Sequence, residues 1–224
     1  TDGSGTTRSL AYRTCAGITG SSDTWSAYTD VLIESGARPY IMARHDGVNT
    51  LHVIASSAHP NEASFITLHH FKGVLDGAGA MIWYDSAGAS LTTPFGISAI
   101  SRIDDGGNLK RWISDCAIGS DGHPRALWIR YPNNNGTAIE YWHSRWTGSS
   151  WVATKLTDDG GGLYSAEQYY HGGLRFDAND CTRVYLSAPI SGVRQVQEWR
   201  TADNGATWAR HRAITSGGSA GNPL

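Results

Sequence analysis

The sequence predicts an all-β fold in which four-stranded antiparallel sheets are arranged as the blades of a β-propeller. The 224-residue chain contains 27 Gly and 9 Trp, with 40% hydrophobic and 17% charged residues, a composition typical of globular domains rich in strands and turns. Short segments of alternating polarity, separated by turn residues, recur at about 45–60 residues, which is the range of a propeller blade. No segment shows helical periodicity over several turns.

Residues 193–215 show the repeating pattern most clearly. They predict a strand at 193–201, a tight turn, and a strand at 207–215, because neighbouring positions alternate between two faces. The turn reads TADNGATW and has the form S/T-x-D-x-G-x-T/S-W. Asp203 can accept backbone N–H groups of its own turn, Gly205 can take a positive φ, and Trp208 can pack beneath them. An ordinary hairpin turn is the alternative interpretation.

Degenerate copies of this turn set the frame of the repeat. Ser22–Trp25 keeps the Asp and Trp but lacks the Gly, and Trp146–Trp151 lacks the Asp. The frame predicts an outer half-blade at 1–35, whole blades at 36–98, 99–160 and 161–216, and the start of another at 217–224. The predicted strands are 39–43, 51–56, 64–71 and 80–84 in the first whole blade, 110–118, 126–131, 139–146 and 151–156 in the second, and 173–177, 183–188, 193–201 and 207–215 in the third.

About three and a half blades cannot close a ring and would leave strand edges exposed. We therefore expect the remaining blades to come from another chain or from missing sequence. The formal net charge of −2 gives no electrostatic case for nucleic acid. No apolar run is long enough to span a bilayer. No signal peptide is visible, but the chain begins at Thr1 rather than Met, so we expect a processed or truncated protein that is secreted or periplasmic.

Several runs together resemble a known family. They are LHVIASSAHPNE at 51–62, ISDCAIGSDGHP at 113–124, GGLYSAE at 161–167, YHGGLRFD at 170–177 and VYLS at 184–187. With the turn at 201–208, which resembles an Asp-box, they are similar to the sialidase-like BNR-repeat family of seven-bladed propellers. That family includes ulvan lyases, rhamnose–glucuronate lyases and related rhamnosidases. The resemblance implies that this chain is the C-terminal-side half of such a propeller.

Loops at one end of the blades converge on the axis of a propeller, and the blade alignment places four catalytic candidates there. His59 opens the HPNE loop and could be a general base, or a surface histidine of a capped turn. Arg130 ends a strand and could clamp a uronate carboxylate, or pair with an acid such as Asp115. Tyr170, followed by His171, could be a proton donor, a platform for a sugar ring, or part of the core.

The predicted substrate-binding residues lie beside these candidates or in the third strands of the blades: Asn61, Glu62, Tyr131, His69, His143 and Arg145. The expected partner is an acidic polysaccharide or oligosaccharide. No metal ligands show close spacing of the HExxH type, and the chemistry requires no cofactor. Only the family resemblance suggests a structural calcium or zinc ion.

A uronate lyase removes the C5 proton while a cation neutralises the adjacent carboxylate, and a His or Tyr transfers protons. His59, Arg130, Tyr170 and His171 have that chemistry, so we expect a polysaccharide lyase acting by β-elimination. Ulvan-lyase-like members carry a tyrosine in the strand leading to the arginine, whereas residues 110–114 read KRWIS. A glycoside hydrolase, rhamnosidase- or sialidase-like, is one alternative, although no two carboxyl groups are paired by the sequence. A non-catalytic carbohydrate-binding propeller is the other.

Overall fold

The computed structural model of the chain describes residues 7–15, 23–164 and 166–217. These residues form four antiparallel sheets, and no α-helix is found among them. Sheet I has two strands in the order β1-β2, and sheet II has five in the order β3-β4-β5-β6-β7. Sheet III has the order β8-β9-β10-β11, and sheet IV the order β12-β13-β14-β15. The predicted all-β fold of four-stranded antiparallel sheets is thus confirmed.

Each sheet is a meander of consecutive strands, so each strand pairs with its neighbours in the sequence. Sheet I contains β1 (Thr7–Tyr12) and β2 (Thr29–Ser35), and sheet II contains β3 (Ile41–His45), β4 (Thr50–Ser56), β5 (Leu68–Leu75), β6 (Met81–Asp85) and β7 (Ser90–Leu91). A single 3₁₀ turn (Ile97–Ala99) precedes sheet III, which contains β8 (Lys110–Ile118), β9 (Pro124–Tyr131), β10 (Glu140–Trp146) and β11 (Trp151–Asp158). Sheet IV contains β12 (Leu174–Phe176), β13 (Arg183–Ile190), β14 (Val193–Arg200) and β15 (Ala209–Ala213).

Apolar cores lie between successive sheets, because alternating side chains of each strand point to the sheet before and the sheet after. Strand β9 is buried along almost its whole length, whereas every residue of β15 is exposed. The core between sheets I and II includes Leu32 and Phe71, that between II and III includes Ile54 and Trp128, and that between III and IV includes Ile129 and Leu186. The sheets therefore stack face to face in chain order.

The predicted strands agree with the observed ones to within a few residues except at one place. The strand predicted at 64–71 is displaced to Leu68–Leu75, and residues 57–67 form a loop in which Phe65 is exposed. The strand instead runs through Gly73, where a Cβ would meet Met81 and Trp83 at 2.8–2.9 Å. Glycine in a strand marks such a close approach.

The turn at 201–208 is built on Asp203. Its Oδ1 accepts the Thr207 N–H at 2.8 Å, its Oδ2 accepts the Thr207 hydroxyl at 2.6 Å, and Gly205 takes φ +87°. The turn lies against sheet III, where the imidazole of His143 packs on Gly205 and on Trp208, with ring centroids 5.1 Å apart. Of the degenerate copy at Ser22–Trp25, Ser22 lies outside the described residues, as do residues 218–224 of the blade start predicted at 217–224.

Candidate active site

The β4–β5 loop (57–67) and the β11–β12 connection (159–173) meet at the same end of sheets II to IV. The Asn61 side-chain amide donates to Oε2 of Glu167 at 3.2 Å. Nζ of Lys110, at the start of β8, donates to the Pro60 carbonyl at 2.6 Å and to the hydroxyl of Tyr169 at 2.7 Å. Hydrogen bonds between polar groups therefore connect the three sheets at this end.

Four aromatic side chains, which we name the Trp112 cluster, form a wall at this junction. Trp112 lies at the centre, with its ring centroid 4.9 Å from His59, 5.8 Å from Tyr40 and 6.3 Å from Tyr170. Tyr170 is 52% exposed. A cleft of about 230 Å³ lies beside the wall and is lined by Trp112, Tyr170, His171 and Arg175, among others. Concave sites with aromatic walls and a few polar groups are the usual form of ligand sites.

His59 is held as a neutral imidazole with a defined tautomer. Burial lowers its pKa below 6.5, Arg38 and Lys110 lower it further, and the carboxylates of Glu62 and Glu167 act in the opposite direction. Its Nδ1 accepts the Asn61 N–H at 3.1 Å. A backbone amide can only donate, so the hydrogen-bond network assigns the imidazole proton to Nε2. In this arrangement His59 can donate through Nε2–H, but its one basic nitrogen is occupied.

Two partly exposed arginines stand on either side of the Trp112 cluster. Arg38 lies over the Tyr40 ring at 5.5 Å and pairs through Nη2 with Glu62 at 3.0 Å, while 45% of its side chain remains exposed. Arg175 lines the cleft, donates to the Ser114 carbonyl at 2.5 Å and is 60% exposed. Either guanidinium retains N–H groups that could bind a substrate carboxylate.

Arg130 lies apart from the Trp112 cluster. Its guanidinium pairs with Asp105 and, through Nε, with Oε2 of Glu140 at 2.5 Å, and it stacks on Trp142 at 4.1 Å. Asp115, the acid suggested from the sequence, instead lies 3.7 Å from Arg175. Arg130 is therefore paired with acids, as the alternative interpretation of the sequence expected, but the acids are Asp105 and Glu140. Its catalytic role stays a prediction.

His171 and Tyr131 are turned towards the core between sheets III and IV. The Gly173 N–H donates to Nδ1 of His171 at 3.1 Å, and burial, with Arg175 and Arg194 nearby, lowers the His171 pKa to about 4. Tyr131 is fully buried and its hydroxyl donates to the Tyr169 carbonyl at 2.7 Å. His171 nevertheless lines the cleft, so it can shape the site without being exposed like Tyr170.

The third-strand candidates lie away from the Trp112 cluster. His69 is buried, with Nδ1 2.9 Å from the Ile100 carbonyl and Nε2 2.7 Å from the Thr67 hydroxyl. Arg145 lies opposite Arg125 in sheet III, and His143 is covered by Gly205. His69 and its neighbour His70 point to opposite faces of β5, and both are buried because β5 is covered on both faces. The substrate-binding roles of His69, His143 and Arg145 stay predictions.

Several residues of this site were not predicted from the sequence, including Arg38, Tyr40, Lys110, Trp112 and Arg175. A usable signal was present, because the segment before β3 and the start of β8 occupy positions equivalent to the segment before β12. Tyr170 lies in that last segment, and Tyr40 and Trp112 are the aromatic residues at the corresponding positions of sheets II and III.

The fold resembles that of a polysaccharide lyase. Two solved structures of an ulvan lyase, described as a new polysaccharide lyase family, PL25, match with a TM-score of 0.63 and 13% sequence identity. One of them is bound to GlcA(1-4)Rha3S. In each case 92% of this chain is covered, and the chain spans 50% of the matched structure. No protein-family profile and no curated protein matches the chain.

Within the part of the chain that the structure describes, no group of three or more His, Cys, Asp or Glu side chains is arranged to hold a metal ion. The same residues include no helix with the length and hydrophobicity needed to cross a membrane.

Proposed function

We propose that this chain is part of a polysaccharide lyase that cleaves a uronic-acid-containing glycan by β-elimination at the Trp112 cluster. The observation that carries the proposal is the convergence of a neutral His59, an exposed Tyr170 and the partly exposed Arg38 on one aromatic wall. The likeness in fold to an ulvan lyase supports this class of reaction. An acidic glycan of this kind suits a secreted or periplasmic protein.

The reaction breaks the C5–H bond and the C4–O bond of the uronate and forms a C4=C5 double bond. Negative charge grows on the carboxylate as the C5 proton leaves, so donors fixed at that group lower the barrier. Arg38 binds the carboxylate, and His59 donates to it through Nε2–H, as a neutral imidazole can. Tyr170, as phenolate, takes the C5 proton and returns it to the leaving oxygen O4.

This assignment differs from the sequence-based one in two roles. His59 becomes a donor rather than the base because Nδ1 is held by the Asn61 N–H. Arg38 takes the place of Arg130 because the latter is paired with two carboxylates. Asn61 and Glu62 keep a role near the substrate, since they lie on the same loop as His59 and bind Glu167 and Arg38.

Sheets II to IV are the whole blades of the proposed propeller, with boundaries as predicted from the sequence, and sheet I is the outer half-blade. Consecutive antiparallel meanders that stack face to face are what blades require. The chain spans about half of the matched structures, so the other blades are supplied by further sequence or a second chain.

A glycoside hydrolase is the second candidate, and one observation favours it. Glu62 and Glu167 both act on the His59 pKa, so two carboxylates lie near one site, as hydrolysis requires. Incubation of the full-length protein with a uronate polysaccharide separates the candidates. A lyase gives new reducing ends together with the ultraviolet absorbance of an unsaturated uronate. Reducing ends without that absorbance favour the hydrolase, and glycan binding with no product favours a non-catalytic binding protein.

A further inference from the structure

A second cleft, of about 340 Å³, opens between sheets II and III near the opposite end of β4 from the His59 loop. It is bordered on one side by residues of β4 and β5 and on the other by the β8–β9 and β10–β11 turns. Its lining includes His52, His70, Lys72, Ser86 and Trp146. The buried core between these two sheets is largely apolar, so this polar opening needs an explanation.

A buried hydrogen-bonded chain ends at the cleft. Nε1 of Trp151 donates to the Ser86 hydroxyl at 2.8 Å, Ser86 lies 2.9 Å from Nδ1 of His70, and Nε2 of His70 lies 3.0 Å from Nδ1 of His52. Among the described contacts, the only acceptor for the Ser86 hydroxyl proton is His70. That direction places the His70 proton on Nε2 and leaves the His52 proton on its own Nε2.

His52 therefore presents an N–H donor where no described protein group accepts it, although the side chain is 93% buried (7% exposed). Burial, together with Lys72, lowers the His52 pKa to about 4, so the ring is a neutral donor at neutral pH. Burial lowers the His70 pKa as well. Because the buried hydrogen bonds to Ser86 and His70 fix the orientation of the His52 ring, its N–H is preorganised to donate to an acceptor in the cleft.

Lys72 lies directly across from His52 on the neighbouring strand, so the two side chains share one face of the sheet. The chain has three lysines: Lys72, Lys110 and Lys155. Lys110 bonds to Pro60 and Tyr169, and Lys155 pairs with Glu140 and Asp158. For Lys72 alone, no hydrogen bond or ion pair is found among the described residues, although it is half-buried.

One acid, Asp46, lines the far end of the cleft. Its Oδ1 accepts the backbone N–H groups of Val48, Asn49 and Thr50 at 2.8–3.1 Å, so it is committed to its own turn. Its pKa is lowered to about 2, with hydrogen bonds from these N–H groups outweighing the opposing effect of burial. Asp46 keeps its negative charge, but its Oδ1 is bonded within its own turn. Lys72 is the lysine that faces the cleft, and no carboxylate pairs with it among the described residues.

We propose that this cleft binds an oxyanion, a sulfate or carboxylate group carried on an acidic saccharide. Lys72 supplies the charge, the His52 N–H supplies a directed hydrogen bond, and the Trp146 indole offers an apolar surface to the sugar ring. The site lies away from the Trp112 cluster and does not depend on any reaction there. It would hold a second segment of a polyanionic chain and raise its effective concentration at the protein.

The test is a titration followed by histidine ring NMR signals on the complete chain. The probes are inorganic sulfate against chloride at equal ionic strength, glucuronate, and a sulfated uronate disaccharide against neutral rhamnose. Saturable shifts of the His52 signals are expected with the anions only. Lys72→Gln should weaken binding by about tenfold or more, Lys72→Arg should retain most of it, and Lys155→Gln should leave it unchanged.

Absence of saturable shifts, or equal affinity in Lys72→Gln and the native chain, would overturn the proposal. Binding of inorganic sulfate without binding of either acidic sugar would overturn the saccharide as its source. Because the readout is a ring signal at His52 rather than product formation, a protein that lacks lyase activity would still decide the question. Conversely, a negative result in this titration would not affect the proposed lyase activity at the Trp112 cluster, which is tested separately by product formation.

Discussion

Replacement of Gly205 by alanine tests whether the 201–208 turn is docked on sheet III. Gly205 has φ +87°, and an added Cβ would lie closer than 3.0 Å to Cε1 of His143. His143 is fully buried and packs between Trp208 and Phe176, with ring centroids 5.1 and 6.1 Å away. The imidazole therefore has no free direction in which to move, and the substitution must distort the contact between sheets III and IV.

The expected loss in the free energy of unfolding has two parts. A positive φ costs a residue with a Cβ about 1–2 kcal/mol, and an overpacked core contact costs about 1–3 kcal/mol. Gly205→Ala should therefore cost about 2–5 kcal/mol. Gly192→Ala is the matched control, because Gly192 has φ +83° and nothing within 4 Å of the added Cβ. That variant should show only the first part.

Chemical denaturation of both variants, followed by tryptophan fluorescence, measures the difference directly. Gly205→Ala should be less stable than Gly192→Ala by about 1–3 kcal/mol. Equal stabilities would show that the turn is not packed against His143, and the docking argument would be wrong. A change in the denaturant slope without a change in midpoint would indicate a different unfolded state rather than a lost contact.

The remaining predictions concern the proposed chemistry and the buried histidines. Arg38→Ala should lower the lyase turnover by about 10²–10³-fold with stability retained. Arg130→Ala should chiefly lower the stability, by about 1–3 kcal/mol, because it removes the guanidinium that Asp105 and Glu140 share and leaves each with one cationic partner fewer. The opposite result in steady-state kinetics and denaturation would restore Arg130 as the neutralising group. If Tyr170 transfers the proton, Tyr170→Phe should lower the turnover by about 10²–10⁴-fold with stability retained, and retained turnover in that variant would refute this role. Burial, with Arg125 and Arg145 nearby, lowers the His143 pKa to about 3, so the unfolded chain binds more protons than the folded one below pH ~6.5. The free energy of unfolding should therefore fall by about 2 kcal/mol between pH 7 and pH 5 through this group alone. His143→Phe should flatten this pH dependence, and an unchanged pH dependence would refute the assignment.

Much of the fold could be predicted from the sequence because its signals are local. Alternation within a strand and glycine or asparagine at a turn depend on neighbouring residues only, and most observed strands in sheets II to IV overlap their predicted positions closely. The exception at Leu68–Leu75 arose from a non-local cause. Met81 and Trp83 on the next strand pack over Gly73 and leave no room for a Cβ there. The sequence alone does not show which side chains will lie above a glycine.

For the candidate site, the sequence predicted which end of the sheets it occupies better than which residues form it. Loop equivalence placed His59 and Tyr170 at one end of the sheets, and both lie on Trp112 in the structure. The tautomer of His59 could not be predicted, because it depends on the Asn61 N–H pointing back at Nδ1. Arg38 directly precedes the strand predicted at 39–43, but its approach to Tyr40 and Glu62 depends on how the connection from sheet I meets the 57–67 loop.

The placement of Arg130 follows from the register of sheet III. Arg111 and Arg130 are directly paired on β8 and β9, and Arg130 is paired in turn with Glu140 on β10, so all three side chains share one face. Two guanidinium groups that are adjacent on a half-buried face repel each other unless carboxylates are placed between them. Asp105 contacts both arginines, and Glu140 contacts Arg130 from the other side. Arg130 therefore neutralises the protein's own carboxylates here, and the partly exposed Arg38 and Arg175 beside Trp112 are the arginines that we propose for ligand binding.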